Sequence, residues 1–160
     1  MQLDTIDCRI LTILQADGRI SNQDLADRVS LSPSACLRRV RALEEGGIIR
    51  GYRATLDNAQ LGVDFEAYVH LSLDQSEPGW NEAFVAQLGE MPEVVQASIV
   101  TGATNYILQV RTRDLAAFSN FVVDRLNGIR GVREMCSHIV MRKVKDSAGA
   151  IPLPDLQQGG

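Results

Sequence analysis

The spacing of apolar residues changes period partway along the chain, and that change limits the fold more than any other feature. Toward the N-terminus, apolar side chains recur three or four residues apart, the repeat of one helix face. From residue 65, in FEAYVHLSL, Ala67, Val69, Leu71 and Leu73 alternate with other residues, the repeat of a strand with one buried face. A helical front part and a sheet-bearing back part read as two small domains of an α+β chain, for which 160 residues suffice.

The front part divides into three short helices. In LDTIDCRILTILQADG, residues Ile6, Ile10, Leu11, Ile13 and Leu14 line one face, with Asp4 as N-cap and Gly18 as the stop. In ISNQDLADRVS, Ser21 caps, Asp24 stands at the capping-box position, and Leu25, Ala26 and Val29 form the stripe. A tight turn leads to LSPSACLRRVRALEEGGII. Here Ser32 caps, Pro33 takes the first helical position, where its missing N–H costs nothing, and Gly46-Gly47 ends the helix. Two short helices joined by a tight turn and preceded by a third make a helix-turn-helix module over residues 1–50. The following IIRGYRATLD reads as a short extended piece, either a wing or a link, and residues 51–64 as linker.

The back part, residues 65–145, alternates between the two periods. After the first strand, PGWNEAFVAQLGEM returns to helical spacing through Trp80, Phe84, Val85 and Leu88. VVQASIVT and NYILQVRT read as strands joined at Gly102. DLAAFSNFVVDRLNG reads as a helix capped by Asp114 and stopped at Gly128, and GVREMCSHIVMRKVK as a last strand. The order β-α-β-β-α-β is the ferredoxin-like arrangement. Two helices cover one face of such a sheet; apolar residues on both sides of its strands predict that the open face packs against another subunit. Residues 146–160, rich in Gly, Pro and Gln, read as a flexible tail.

Charge separates the two parts. The whole chain carries a net charge of −4, yet residues 1–58 hold eight Arg and eight acids. Within them, Arg19, Arg28, Arg38, Arg39, Arg41, Arg50 and Arg53 face only four acids, while the rest of the chain carries twelve acids against eight bases. Local field matters more than the sum, so a nucleic-acid partner fits this basic region despite the acidic total. Cys8, Cys36 and Cys136 are odd in number, far apart and without a CxxC spacing, which suits reduced thiols in the cytoplasm. His70 and His138 are the only histidines and stand far apart in sequence, which argues against a metal or catalytic cluster. No basic-then-apolar leader and no long apolar run are present, so no membrane partner is expected.

On the third helix, Ser34, Arg38 and Arg41 share the face opposite Cys36, Val40 and Leu43, with Arg39 toward the flank. Arginine grips guanine O6 and N7 bidentately, and hydroxyls such as those of Ser32 and Ser34 donate to phosphates near a helix N-terminus. The alternative is a solvated face with ion pairs such as Arg41 to Glu44 or Glu45. Inside a three-helix unit with the right turn length, Ser32, Ser34, Arg38, Arg39 and Arg41 are the candidate contacts to double-stranded DNA.

The stretch from LDTIDCRILTILQADGRISNQ through LSPSACLRRVRALEEGGIIRGYRATL resembles the N-terminal half of the leucine-responsive regulator/AsnC, or feast/famine, family. The likeness rests on LD-x-x-D, DGRISN, LSPS-x-C, R-V-R-x-LE and G-x-I-x-GY. It continues through Gly102 to Tyr106 and the closing V-M-x-x-VK, over roughly residues 3–145. The resemblance implies a transcription regulator with a winged-helix-like DNA-binding domain and a ferredoxin-like sensor domain. It further implies dimers assembled into rings, commonly octamers as tetramers of dimers, with a small molecule, usually an amino acid, held between dimers. No other cofactor is implied. Carried over, the pocket comprises Ser98, Thr101, Gly102, Ala103, Thr104, Asn105, Tyr106 and Leu115, with His138, Ile139 and Val140 supplied by the last strand of a neighbouring subunit.

The hairpin departs from the common pattern: many relatives read Gly-acid-x-Asp-Tyr where this chain, from Gly102 to Tyr106, reads Gly-Ala-Thr-Asn-Tyr, so Asn105 stands in place of an Asp. Asn keeps the shape and removes a negative charge that would pair with an α-ammonium, a contact worth roughly 1.5–3 kcal/mol when desolvated. A weaker grip on an amine, an amine held elsewhere, or a sensor blind to free amino acids are the expectations. His138 reads either as a polar effector contact or as an interface histidine, Cys36 and Cys136 as packing residues, and Trp80 and Phe84 as core or interface. No nucleophile–base pair, metal-ligand cluster or phosphate-binding glycine motif points to an enzyme. A nucleoid-type architectural DNA binder and a DNA-free metabolite-sensing oligomer are the rival functions.

Overall fold

The computed structural model describes residues 2–73, 80–102, 104–145 and 150–153, with the side chains of Trp80 and Asn81 outside that description. Two compact units emerge, one of residues 1–55 together with 145–160 and one of residues 56–144.

The first unit contains α1 (Thr5–Ala16), α2 (Asn22–Val29) and α3 (Pro33–Glu45). Each begins where its cap residue places it. Asp4 and Asp7 form a reciprocal capping box on α1, Ser21 accepts from the Asp24 N–H on α2, and Ser32 accepts from the Ala35 N–H on α3 with Pro33 at the first turn. α2 ends on Ser30 in the left-handed conformation, and Leu31 donates to Ala26 O at 2.9 Å, closing the turn into α3. Ile10, Leu11, Leu25, Ala26, Val29, Cys36 and Leu43 interlock as its core. Among the described residues, the segment after α3, residues 48–57, forms no strand.

The second unit runs β1 (Phe65–Leu73), α4 (Trp80–Gly89), β2 (Val94–Ile99), β3 (Tyr106–Thr112), α5 (Leu115–Phe121) and β4 (Val132–Ile139). The strand order is β2-β3-β1-β4, and every pairing is antiparallel. Ala67, Val69, Leu71, Leu108 and Val110 lie on the helix-covered face, with Phe84, Leu88, Phe118 and Leu126 packed over them. Phe84, read as core or interface, is core; the side chain of Trp80 lies outside the described residues.

Two elements differ from the sequence reading. The helix of residues 114–128 keeps its Asp114 cap but widens after Phe121 into a π-helical turn, Val122–Leu126. The last strand stops at Ile139. Ile139 pairs with Ala67, and the Val140 N–H still donates to Glu66 O at 2.9 Å, but β1 itself extends only two residues beyond that pair, to Phe65. The apolar residues Met141 and Val144 therefore lie almost fully exposed. The reading of 146–160 as a loose tail also fails at residues 150–153, which lie against α1.

Candidate DNA interface and effector site

On α3 the core-facing stripe is Cys36, Val40 and Leu43, which turns Ser34, Arg38 and Arg41 outward. Neither Arg38 nor Arg41 is engaged in an ion pair among the described residues, and the Glu44 carboxylate instead accepts from Tyr52 Oη at 2.9 Å. The solvated-face alternative, with Arg41 paired to Glu44 or Glu45, is thus not the arrangement formed. Ser32 spends its hydroxyl on the cap, 3.3 Å from the Ala35 N–H, and lies 3.3 Å from the Ser34 hydroxyl.

Arg39 departs from its expected place among the DNA contacts. Its Nη1 lies 2.7 Å from Asp4 Oδ2 and 2.8 Å from Asp7 Oδ1, tying α3 to the capped start of α1. Those two hydrogen bonds raise the guanidinium pKa further. The Asp7 backbone N–H and the Arg39 guanidinium together hold the Asp4 carboxyl below the ordinary carboxylate range. Arg39 is consumed inside the domain because a helix turn of 100° per residue swings it from the outer face toward α1.

Two residues that the sequence reading passed over belong to this surface. Leu37 is 38% exposed in the middle of the arginine face, at i+3 from Ser34 and i−4 from Arg41. The Asn22 Nδ2 donates to Pro33 O at 2.9 Å, fixing the start of α2 against the start of α3. The i+3/i−4 spacing was a usable signal for Leu37; no local signal marks Asn22.

In the second unit the register sorts the effector candidates. Ser98, Ile107, His70 and Cys136 form one row across the open face, and Tyr68, Gln109 and His138 belong to the next. Gly102 stands at φ +125°, a conformation that L side chains rarely adopt, and the Val100 N–H donates to Asn105 O at 2.9 Å to close the hairpin. Thr101 is exposed and Thr104 half-buried beside it; Ala103 lies outside the described residues. Tyr106 turns to the core, edge-on to Phe84 with centroids 4.8 Å apart, and burial raises its phenol pKa.

Asn105 is already engaged by the strand. Its backbone N–H donates to Leu71 O at 3.0 Å, and its Oδ1 accepts from the Leu73 N–H at 2.9 Å. The side chain thereby prolongs the β1 ladder beyond Tyr106. Of the expectations for Asn105, a grip on an effector amine, even a weak one, would have to compete with β1 for the side-chain oxygen.

The hairpin and the end of β4 lie at opposite ends of one sheet. Tyr106 aligns with Leu71 and Met135, whereas Ile139 aligns with Ala67 and Val110. Four residues along a strand separate these rows by about 13 Å. Leu115, 57% exposed, follows β3 at the Ile139 end. Within one chain the structure groups Ser98 with the hairpin and Leu115 with Ile139 and Val140, and it does not bring the two groups together.

The open face holds other chemistry too. Glu66, 7% exposed, accepts from Gln109 Nε2 at 2.9 Å and lies 3.1 Å from Arg111 Nε and 2.9 Å from Lys143 Nζ. Burial pushes its carboxyl upward, but the Lys143 and Gln109 hydrogen bonds and the two cations outweigh that and leave it below the ordinary range. His70 and His138, far apart in sequence, meet edge-to-face with centroids 4.8 Å apart, and Cys136 Sγ lies 3.9 Å from His138 Nε2. No group of three His, Cys, Asp or Glu among the described residues is placed to hold a metal ion. No helix there is long and apolar enough to cross a membrane.

A capped, cation-bearing third helix in a three-helix head, followed by a separate βαββαβ unit, defines a helix-turn-helix transcription regulator with a ligand-binding domain. Residues 3–50 match the winged helix-turn-helix DNA-binding family, and residues 66–150 match the Lrp/AsnC ligand binding domain. The chain belongs to the Lrp/AsnC family. It is 42% identical over 147 residues to a leucine-responsive regulatory protein of Rhizobium meliloti, covering 92% of this chain and 94% of that one. The corresponding protein of Escherichia coli K12 is 38% identical over 145 residues, covering 91% and 88%. Among solved structures, a Neisseria meningitidis transcriptional regulator in complex with L-methionine superposes with a TM-score of 0.89 at 37% identity, covering 94% of this chain and 97% of that one. An AsnC family regulator of Agrobacterium tumefaciens gives 0.88 at 31%, with 94% and 97% covered.

Proposed function

We propose that this regulator reads a pseudo-palindromic operator in the cytoplasm through α3 of two subunits, and that an amino acid or close derivative modulates its occupancy or assembly. The observation that carries the reading is the outward face of α3, where Ser34, Leu37, Arg38 and Arg41 stand together, with neither cation in an ion pair among the described residues. Arg38 and Arg41 take guanine edges, Leu37 meets a thymine methyl, and Ser32 and Ser34 take phosphates at the helix N-terminus. Two such helices, one per subunit of a dimer, address successive major grooves about one turn apart.

The effector pocket of this reading uses Ser98, Thr101, Gly102, Ala103, Thr104, Asn105 and Tyr106 from one subunit and Leu115, His138, Ile139 and Val140 from a neighbour. The opposed positions of the hairpin and the β4 end support a two-chain pocket, and the L-methionine complex of the Neisseria relative supports an amino acid. Dimers assembling into a tetramer of dimers would form it repeatedly. With its oxygen committed to Leu73, Asn105 contributes Nδ2 and shape, and the effector amine is held by hairpin carbonyls. No catalytic step belongs to this reading.

The test is selection of duplexes from a random pool, followed by footprinting with and without a panel of amino acids. Helically phased protection altered by one compound is the expected result. Binding of all sequences alike, lost together in moderate salt, would replace this reading with an architectural one.

A further inference from the structure

Residues 150–153 return to the DNA-binding unit, and the contact they make is specific. The Ile151 N–H donates to Gln15 Oε1 at 2.6 Å, and Gln15 Nε2 donates to Ile151 O at 3.2 Å. One side-chain amide thus pairs both backbone polar groups of one residue, as a neighbouring strand would. Leu153 packs against the core cluster of the head, while the Ile151 side chain stays 65% exposed. Thr12, Gln15 and Ala16 of α1 line one side of a shallow cavity whose other side is residues 150–153. In IPLP, prolines flank Leu153, so the segment is held extended before it docks and loses little freedom on docking.

We propose that this segment is a strap, and that the outer face of α1 is a docking groove whose partner is the C-terminal segment of this same chain. Gln15 reads the backbone and Leu153 supplies the apolar anchor. The head is then joined to the sensor unit twice, through the chain around residues 56–64 and again through residues 140–149. The second connection leaves directly from Val140, at the β4 end assigned to the effector pocket. The strap therefore limits the freedom of the head and gives the ligand a covalent path to it; this role rests on the DNA- and ligand-binding reading above. Restraining two heads raises the effective concentration of the second recognition helix once the first is bound.

Amide exchange on the full chain tests the docking. The Ile151 amide is expected to be protected in the wild type and to exchange about tenfold faster in Gln15→Ala. Unprotected exchange at Ile151 in the wild type, or protection indifferent to Gln15→Ala, would overturn the strap. Its role is tested on a duplex that the wild-type chain selects from a random pool. Gln15→Ala, Leu153→Asp and deletion of 150–160 are each expected to weaken binding to the two-half-site duplex by about tenfold while leaving a single half-site within about twofold. Equal affinity of all variants for the two-half-site duplex would overturn the role, as would equal losses on both duplexes. Failure of the wild type to select any duplex would count against the DNA-binding reading alone, since the exchange experiment needs no DNA.

Discussion

On α3 the groups assigned to DNA sit within about two turns of one helix, whereas those assigned to the effector run from Ser98 to Val140 and occupy both ends of a sheet. The helix needs only its own periodicity to gather Ser34, Leu37, Arg38 and Arg41. The sheet sets the effector groups apart, because β3 and β4 both run antiparallel to β1, with the hairpin at the start of β3 and Ile139 at the end of β4. A DNA-reading surface can therefore be complete in one chain, while a pocket using both the hairpin and the β4 end takes two. The same contrast governs the charged groups. Among the described residues Arg38 and Arg41 make no ion pair, while Arg39 pairs with Asp4 and Asp7.

The largest effect should separate neighbouring arginines. Arg38→Ala and Arg41→Ala are each expected to weaken operator binding about tenfold to hundredfold, by ~1–3 kcal/mol, with no change in thermal unfolding. Arg39→Ala should do the reverse. It leaves the mostly buried Asp7 carboxylate without its cation and lowers the stability of the head by about 1–3 kcal/mol, with DNA affinity changed only as far as the head unfolds. Fluorescence anisotropy and calorimetry on the three variants read both quantities. Equal DNA losses for all three without unfolding would return Arg39 to the interface.

Mixing sharpens the other half of the contrast. Gly102→Val spoils the hairpin, since φ +125° suits glycine, and Ile139→Arg spoils the β4 end. Each variant alone should bind none of the amino acid that the wild type takes, with L-methionine the first to try. Refolded together in equal amounts, the two should regain about a quarter of the sites, the share in which an intact hairpin meets an intact β4 end from another chain. A pocket built within one chain regains nothing.

How much of this was legible depended on sequence distance. Asp4, Ser21, Ser32 and Asp114 all cap the helices they were expected to cap, because a cap and its N–H lie three residues apart. The four strands followed from alternation. Arg39 could not be assigned from α3 alone, because its partners lie on α1, and Gln15 meets Ile151 from nearly the other end of the chain. The meeting of His70 with His138 was set by the pairing of β1 with β4. Asn105 misled in a different way: its type was read correctly, but the Leu73 N–H it satisfies has no signature of its own.

Acid should act on both units through depressed carboxylates. Asp4 lies below its usual 3.8 through the Asp7 N–H and Arg39, and Glu66 lies below its usual 4.5 because its hydrogen bonds and cations outweigh burial. A depressed carboxyl stabilises the fold above its unfolded value, and that contribution disappears as pH falls through the lower folded value. Stability should therefore hold from neutral pH down to about 4.5 and decline below it. Urea unfolding between pH 3 and 6, with amide exchange assigning each unit, should show the decline shrink in the sensor for Glu66→Gln and in the head for Asp4→Asn. The sensor effect is the larger, since Glu66 is buried while half of the Asp4 side chain is exposed and screened.

The smallest expected change is at Asn105. Asn105→Asp adds the negative charge whose absence the sequence reading noted, and a carboxylate oxygen accepts the Leu73 N–H as well as an amide oxygen does. Thermal stability should then shift by no more than about 0.5 kcal/mol. Asn105→Ala, by contrast, leaves that N–H without an acceptor and costs about 1–3 kcal/mol. If the oxygen serves β1 first, amino-acid affinity should rise less than tenfold in Asn105→Asp, because the new charge is already engaged by the backbone. A gain approaching a hundredfold, the worth of a desolvated ammonium pair, would mean that the side chain turns from Leu73 to the ligand when one is present.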